Sequence, residues 1–156
     1  MNWEGELLHI HIANMGGAKM RASQSAMCLA GRGIEGDRYE TGTGIYSKIP
    51  DIREITLIEI ETLDALQRDH AINLKPEEHR RNLTTRGVPL NHLVGRRFSL
   101  GSVVLEGGRL NTPCRYLETL LDKKVYKILM HRSGLNCKII QSGPIEVGMK
   151  ICPVKD

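Results

Sequence analysis

The sequence predicts a mainly β protein: a mostly antiparallel β-barrel, closed or partly closed, with a few short peripheral α-helices. Three observations predict it. About seven or eight short segments are rich in apolar residues that alternate with polar ones, the pattern of a strand with one covered face. Only two or three segments carry the three-to-four spacing of a helix, and each is short. Strands and helices do not alternate regularly, which argues against a doubly wound sheet, whereas a closed antiparallel sheet removes its own edges.

Residues 5–14 open the chain as a strand, with Leu8, Ile10 and Ile12 facing one way and Leu7, His9 and His11 mostly the other. His9 and His11 share a face that suits a metal, but no third ligand is apparent, so a half-exposed strand face explains them as well. A turn at Asn14-Met15-Gly16-Gly17 leads to Lys19-Met20-Arg21. Residues 31–44 are dense in glycine, and they match neither a P-loop nor a dinucleotide fingerprint. Two readings stay open for them: a long ordered loop, or a loop that brings Arg38 and backbone N–H groups to an anion. Residues 53–60 form a second strand. Residues 61–70 switch to helical spacing through Leu63 and Leu66, with acidic residues first and Arg68 and His70 last, as the helix dipole favours.

Residues 76–79 suit a single helical turn, and residues 80–85 a short polar strand of the charged kind found at sheet edges. Residues 98–106 read as a hairpin-like pair and Gly107-Gly108 as a tight turn. Residues 115–121 form a short helix with Leu117, Leu120 and Leu121 on one face. Residues 122–132 form a further helix closed by Gly134, residues 135–141 a strand, and residues 145–153 a last strand interrupted at Gly148.

The length of 156 residues suits one domain spanning 1–156 with a real core. A net charge of +4, spread along the chain, implies a solvated surface and leaves room for a local anion site. Six aromatic residues are too few for a nucleic-acid stacking platform, so no nucleic-acid partner is expected. No apolar run is long enough for a membrane helix, and the first residues lack the basic and apolar regions of a signal peptide. The four cysteines show neither C-x-x-C nor zinc spacing, which suits free thiols in a reducing cytoplasm. Cys137 and Cys152 read as inert thiols on apolar strands, and Cys28 is undetermined.

The most informative stretch is Asn111-Thr112-Pro113-Cys114. Thr112 suits an N-cap and Pro113 the first helical position, which places Cys114 in a first turn, beside Arg115. Helix N-termini favour a thiolate over a thiol. Upstream, Arg80-Arg81-Asn82-Leu83-Thr84-Thr85-Arg86 is a dense set of oxyanion-binding side chains. A lone cysteine is also explained by burial in a core, and both explanations stand on the residues alone.

Taken in order, these segments resemble a MOSC domain. The resemblance is carried by Lys19-Met20, by Gly33-Ile34-Glu35-Gly36-Asp37-Arg38-Tyr39 with Gly42-Thr43-Gly44, and by Arg53 with Ile55-Thr56-Leu57-Ile58-Glu59. It continues through Arg80-Arg81-Asn82-Leu83, Leu90-Asn91, Thr112-Pro113-Cys114, Gly134-Leu135-Asn136-Cys137 and Gly143-Pro144-Ile145-Glu146-Val147-Gly148. It covers nearly the whole chain, which is similar to a small stand-alone member of a family also found at the C-terminus of molybdenum cofactor sulfurases. The resemblance implies a pyruvate-kinase-like β-barrel and a bound molybdenum cofactor (molybdopterin). It makes Cys114 the catalytic, molybdenum-ligating or sulfur-bearing thiolate. It places Lys19, Arg38, Arg80, Asn82 and Thr112 around the cofactor, with Arg81, Thr84 and Arg86 as weaker candidates.

The resemblance implies three functions. The first is a molybdenum-dependent reductase of N-hydroxylated compounds, a small-molecule oxidoreductase that needs an electron-donor protein. The second is a sulfur carrier with a persulfide on Cys114, loaded by a separate cysteine desulfurase; pyridoxal phosphate would then belong to that partner and not to this chain. The third is a non-catalytic cofactor-binding module. A cytoplasmic protein with no membrane partner is expected in each case.

Overall fold

The structure is a computed structural model that describes residues 1–155. In chain order the elements are β1 (Gly5–Ile12), β2 (Arg21–Ser23), β3 (Ser25–Leu29), β4 (Gly33–Ile34), α1 (Arg38–Thr41), β5 (Ile55–Glu59) and α2 (Ile60–His70). They continue with β6 (Leu83–Arg86), a 3-10 turn at Leu90–His92, β7 (Arg97–Leu100), β8 (Val103–Leu110), α3 (Arg115–Leu121), β9 (Leu135–Gln141), β10 (Gly143–Glu146) and β11 (Lys150–Pro153).

Seven strands run β11-β7-β8-β9-β5-β6-β1, and β1 pairs back onto β11 to close the barrel. Every neighbouring pair is antiparallel except β5 and β6, which α2 joins as a parallel crossover. β2 extends the sheet beyond β1, and β3, β4 and β10 form a separate small sheet. The barrel interior is filled by Leu7, Ile10, Leu57, Leu83, Phe98, Leu105 and Leu135, all essentially inaccessible. A second cluster lies outside it, where Leu63, Leu66 and Leu117 cover Ile58. Leu57 and Ile58 are sequence neighbours on opposite faces of β5, and both faces are covered. That is why residues 55–58 are buried without alternation.

Several expectations need correction. On β1 the register shifts between Leu7 and His9, so Leu7 joins Ile10 and Ile12 in the core and the simple alternation fails. β6 is no edge strand: it pairs with β1 on one side and β5 on the other, and Thr84 and Thr85 are fully buried. Gly107 and Gly108 lie inside β8, and the hairpin turn falls at Gly101 and Ser102 instead. A Cβ on Gly107 would stand 2.0 Å from the Leu93 carbonyl oxygen, so this glycine serves close backbone approach.

Residues 122–134 contain no α-helix. Asp122 and His131 take left-handed backbone angles (φ 51° and 65°), which breaks the segment into turns that still bury Val125 and Leu129. Gly134 has φ 104° and abuts the β5 backbone, so it does not close a helix. The last expected strand is two, β10 and β11, in different sheets. The glycine-rich loop contains β4 and α1, and β2 and β3 were not anticipated.

Candidate functional site

Cys114 ends the connection from β8 to α3. It is the N-cap of α3 (φ −130°, ψ 151°), one position before the first turn that the sequence suggested, and its side chain makes no capping bond. Pro113 is buried, and Leu117 anchors α3 in the second core cluster. The half-buried thiol of Cys114 therefore faces a cavity of about 360 Å³ that Thr112 also lines.

Five arginines line the same cavity, and their hydrogen bonds separate their roles. Arg38, the first residue of α1, is buried. Its Nη1 faces Asp37 Oδ1 at 3.1 Å, and its Nη2 donates to the Arg80 carbonyl at 2.9 Å and to Tyr39 Oη at 3.1 Å. Asp37 is itself fully buried and accepts from the Ala13 N–H at 3.0 Å, which ties α1 to the end of β1. Arg38 is thus largely a brace for Arg80.

Arg80 takes a left-handed backbone angle, φ 69°. For a residue with a long side chain this costs about 1–2 kcal/mol, and such strain concentrates at working sites. Its Nη1 donates to the Ala18 carbonyl. Burial, then the neighbouring Arg38, pulls its guanidinium below the ordinary arginine value.

Arg81 is buried and fully engaged. It donates to the carbonyls of Ser133 (3.0 Å) and His79 (2.8 Å), to Ser133 Oγ (2.7 Å) and to Asn111 Oδ1 (2.7 Å). Burial pulls it down to about 10, still charged at neutral pH. Asn111 passes the network to Asn136 Oδ1 (2.7 Å), and Asn136 to the Ile52 carbonyl (2.9 Å). This chain of amides fixes the residues that precede Cys114. Arg53 and Arg109 both face Asp51, whose carboxyl Arg109 holds well below the usual carboxylate range.

Aromatic rings complete the cavity. Tyr39, Tyr46 and Tyr116 line it, three of the chain's four tyrosines. The Arg38 guanidinium lies 4.2 Å from the centre of the Tyr39 ring. The Tyr46 phenol is raised above its ordinary value, by desolvation first and then by the neighbouring Cys114, Tyr116 and Tyr39.

Of the residues the sequence suggested, Arg38, Arg80, Arg81, Thr112 and Cys114 meet in one cavity. Lys19 and Asn82 do not line it. Lys19 is exposed beside Ala18, the residue that receives Arg80. Asn82 is fully buried: its Oδ1 accepts from Thr56 N and Oγ1, both at 3.1 Å, and its Nδ2 donates to the His11 carbonyl at 3.2 Å. It cross-links β1, β5 and β6. Thr84 hydrogen-bonds His79 beneath the surface, and Arg86 stands near Glu6 on another face. His11 is buried and His9 exposed, with ring centres 6.1 Å apart. No group of three or more His, Cys, Asp or Glu residues is placed to hold a metal ion among the described residues. Cys28 and Cys137 lie in the main apolar cluster, where burial pushes the Cys28 thiol up to about 12 and Cys137 higher still.

Sequence reasoning missed Tyr46, Asp51, Arg53, Tyr116 and Arg109 as site residues. Scarcity was the available signal: in a chain with only six aromatic residues, tyrosines outside apolar runs are poor core candidates.

The MOSC domain family model matches residues 47–152, more than half of the chain. The chain belongs to the MOSC domain family. The matched segment of this MOSC domain contains Arg80 and Cys114, whereas Lys19 and Arg38 precede it. Among solved structures, the YuaD protein from Bacillus subtilis superposes with a TM-score of 0.83 at 18% identity, covering 99% of each chain. YiiM from Geobacillus stearothermophilus gives 0.75 at 13% identity, over 97% of this chain and 75% of its own. YiiM from Escherichia coli gives 0.67 at 18% identity, over 100% of this chain and 71% of its own. At these identities the likeness is one of fold. No curated protein matches the sequence. No helix among the described residues is long and apolar enough to cross a membrane.

Proposed function

We propose that this MOSC protein holds a molybdenum cofactor through Cys114 and acts as a molybdenum-dependent reductase of N-hydroxylated compounds. The observation that carries this reading is the convergence, in one 360 Å³ cavity, of a cysteine thiol with arginines and tyrosine rings. The donor set fits the group. A soft sulfur ligand suits a molybdenum centre that already carries sulfur donors. Arg80, braced by Arg38, suits the cofactor's phosphate as a planar donor fork. Tyr39, Tyr46 and Tyr116 offer flat faces to a flat ring. When bound, the metal would supply the two-electron chemistry that cleaves an N–OH bond. The chain's own residues bind, orient and shield. Electrons would come from a donor protein.

The experiment is the molybdenum content of protein purified from cofactor-replete cells, wild type beside Cys114→Ala. Near-stoichiometric metal in wild type and its loss in the variant support ligation by Cys114, and reduction of N-hydroxylated bases with an artificial electron donor then tests turnover. Equal metal in both refutes ligation by that thiol. No metal in either shifts the reading to a sulfur carrier loaded by a separate cysteine desulfurase. That reading predicts an added mass of about 32 Da on Cys114, one sulfur atom held as a persulfide. Bound cofactor without turnover leaves a non-catalytic binding module.

A further inference from the structure

One wall of the cavity is a loop, residues 43–53, that contributes Ile45, Tyr46, Ile49, Asp51 and Arg53. Ile45 and Ile49 line the cavity yet remain 53% and 60% exposed, so they sit at its rim and anchor nothing in the core. Apart from Ile52, whose side chain packs on Gly108 and whose carbonyl accepts from Asn136, polar contacts hold the loop. At its start the Gly16 N–H donates to the Thr43 carbonyl at 2.8 Å. Within it, Arg53 Nη1 donates to the carbonyls of Tyr46 (2.5 Å) and Ile49 (2.8 Å), which sets the height of Tyr46. At its end the Asp51 carboxylate accepts two bonds from Arg109 on β8, one of them from Nε at 2.8 Å, and stands 3.4 Å from Arg53 Nη2. Tyr46 and Cys114 line the same cavity.

Asp51 is thus a carboxylate of the chain itself, placed on two arginines of an arginine-lined cavity. We propose that the Asp51–Arg109 pair is a latch: it holds residues 43–53 as a lid with Tyr46 across Cys114, and an anionic group that reaches Arg109 and Arg53 competes with Asp51 and releases the lid. The inference rests on the reading that this cavity is the working site. It adds a ligand class: a molecule with two acidic groups, one taken by Arg80 and one exchanged against Asp51. The pair is partly exposed, 27% for Asp51 and 39% for Arg109, so water and incoming anions reach it.

The test is the rate at which iodoacetamide modifies Cys114 in the full chain, read from the masses of the cysteine peptides, with Cys152 as the internal reference. Asp51→Asn should label Cys114 about two- to fivefold faster than wild type, the range that a partly exposed ion pair supports, with Cys152 unchanged. Inorganic phosphate, compared with chloride at equal ionic strength, should accelerate the wild type towards the Asp51→Asn rate. Coincident wild-type and Asp51→Asn rates, at an unchanged melting temperature, overturn the latch. Phosphate that slows wild-type labelling or leaves it unmoved overturns the competition. If Asp51→Asn melts lower than wild type, Tyr46→Ala replaces it by removing the ring across Cys114, and a wild-type rate in that variant overturns the proposal. Molybdenum content is read separately. A chain that binds no molybdenum yet shows these rates loses the functional reading and keeps the latch.

Discussion

Arg38→Met would strand the Asp37 carboxylate. Asp37 is fully buried, Arg38 is 4% exposed, and the guanidinium stands 3.1 Å from Oδ1. Removing one partner of a buried ion pair costs about 3–5 kcal/mol, because the remaining charge is left without compensation. Asp37 keeps the N–H groups of Ala13 and Tyr39, which places the expected loss at the lower end, about 3 kcal/mol. For a domain of this size that lowers the melting temperature by about 6–12 °C. Urea denaturation checks it: the midpoint should fall while the slope stays constant. The double variant Asp37→Asn/Arg38→Met should recover part of the loss, because an amide carries no buried charge. The Arg80 carbonyl also loses its 2.9 Å donor, so molybdenum content should fall further than the lost stability explains. A loss under about 1 kcal/mol, or a double variant equal to the sum of the singles, would refute the claim that this is a coupled buried pair.

Gly107→Ala should destabilise by about 1–3 kcal/mol or more, since its Cβ would meet the Leu93 carbonyl in a backbone that cannot retreat without losing the Val94 bridge; urea midpoints test it. Asn82→Ala should cost about 1–3 kcal/mol for each polar group it strands. Its molybdenum content per folded molecule should match wild type, because its amide serves Thr56 and His11 and not the cavity. Stability should also fall with acid. His79 Nδ1 accepts the Arg81 N–H at 2.9 Å, so the ring proton sits on Nε2 and faces Thr84 Oγ1 at 2.8 Å. Burial first, then Arg81, lowers its pKa well below the usual histidine value, and burial then His9 lowers that of His11. Both are lowered in the folded state, so below about pH 6.5 the unfolded chain binds more protons. Stability is therefore fully present above that pH and declines as pH falls from there towards 5, by up to about 1.4 kcal/mol per pH unit for each histidine. A flat profile by urea denaturation over that window would refute the assignment.

The barrel was legible because closure needs only the pattern of strands. β9 follows alternating apolar residues between a glycine and a turn, and the structure returns the expected bounds, Leu135–Gln141. α2 likewise follows Leu63 and Leu66 at helical spacing. The errors fall where tertiary contact overrides local pattern. β6 looks polar because Thr84 and Thr85 are buried through hydrogen bonds, with His79 for Thr84 and the Ile58 carbonyl for Thr85, which a hydropathy reading scores as exposure. The Gly107-Gly108 pair reads as a turn in isolation, yet it lies within a strand because Leu93 passes against it.

The site was legible only in part, for a related reason. Cys114 and the run from Arg80 to Arg81 announce themselves by residue type and local spacing, and both reach the cavity. What decides their roles is contact between segments far apart in sequence. Arg38 braces the carbonyl of Arg80 across 42 positions, Arg81 reaches Ser133 across 52, and Arg109 holds Asp51 across 58. None of these pairings has a local signature, so equal-looking arginines could not be ranked. The structure ranks them by their remaining donors. Arg81 is fully engaged and shapes the floor beneath Asn111, and Arg38 is largely a brace. Arg53 and Arg109 are covered by Asp51. Arg80 has one terminal nitrogen on the Ala18 carbonyl, and it sits in a strained backbone conformation that the rest of the fold maintains. A guanidinium held that way, in the cavity that the Cys114 thiol faces, is the residue on which anion binding should depend most steeply. Arg80→Lys keeps the charge and loses the planar fork, so it separates a need for charge from a need for geometry. If the fork matters, molybdenum content falls in Arg80→Lys nearly as far as in Arg80→Met. Retention in Lys alone would show that charge suffices.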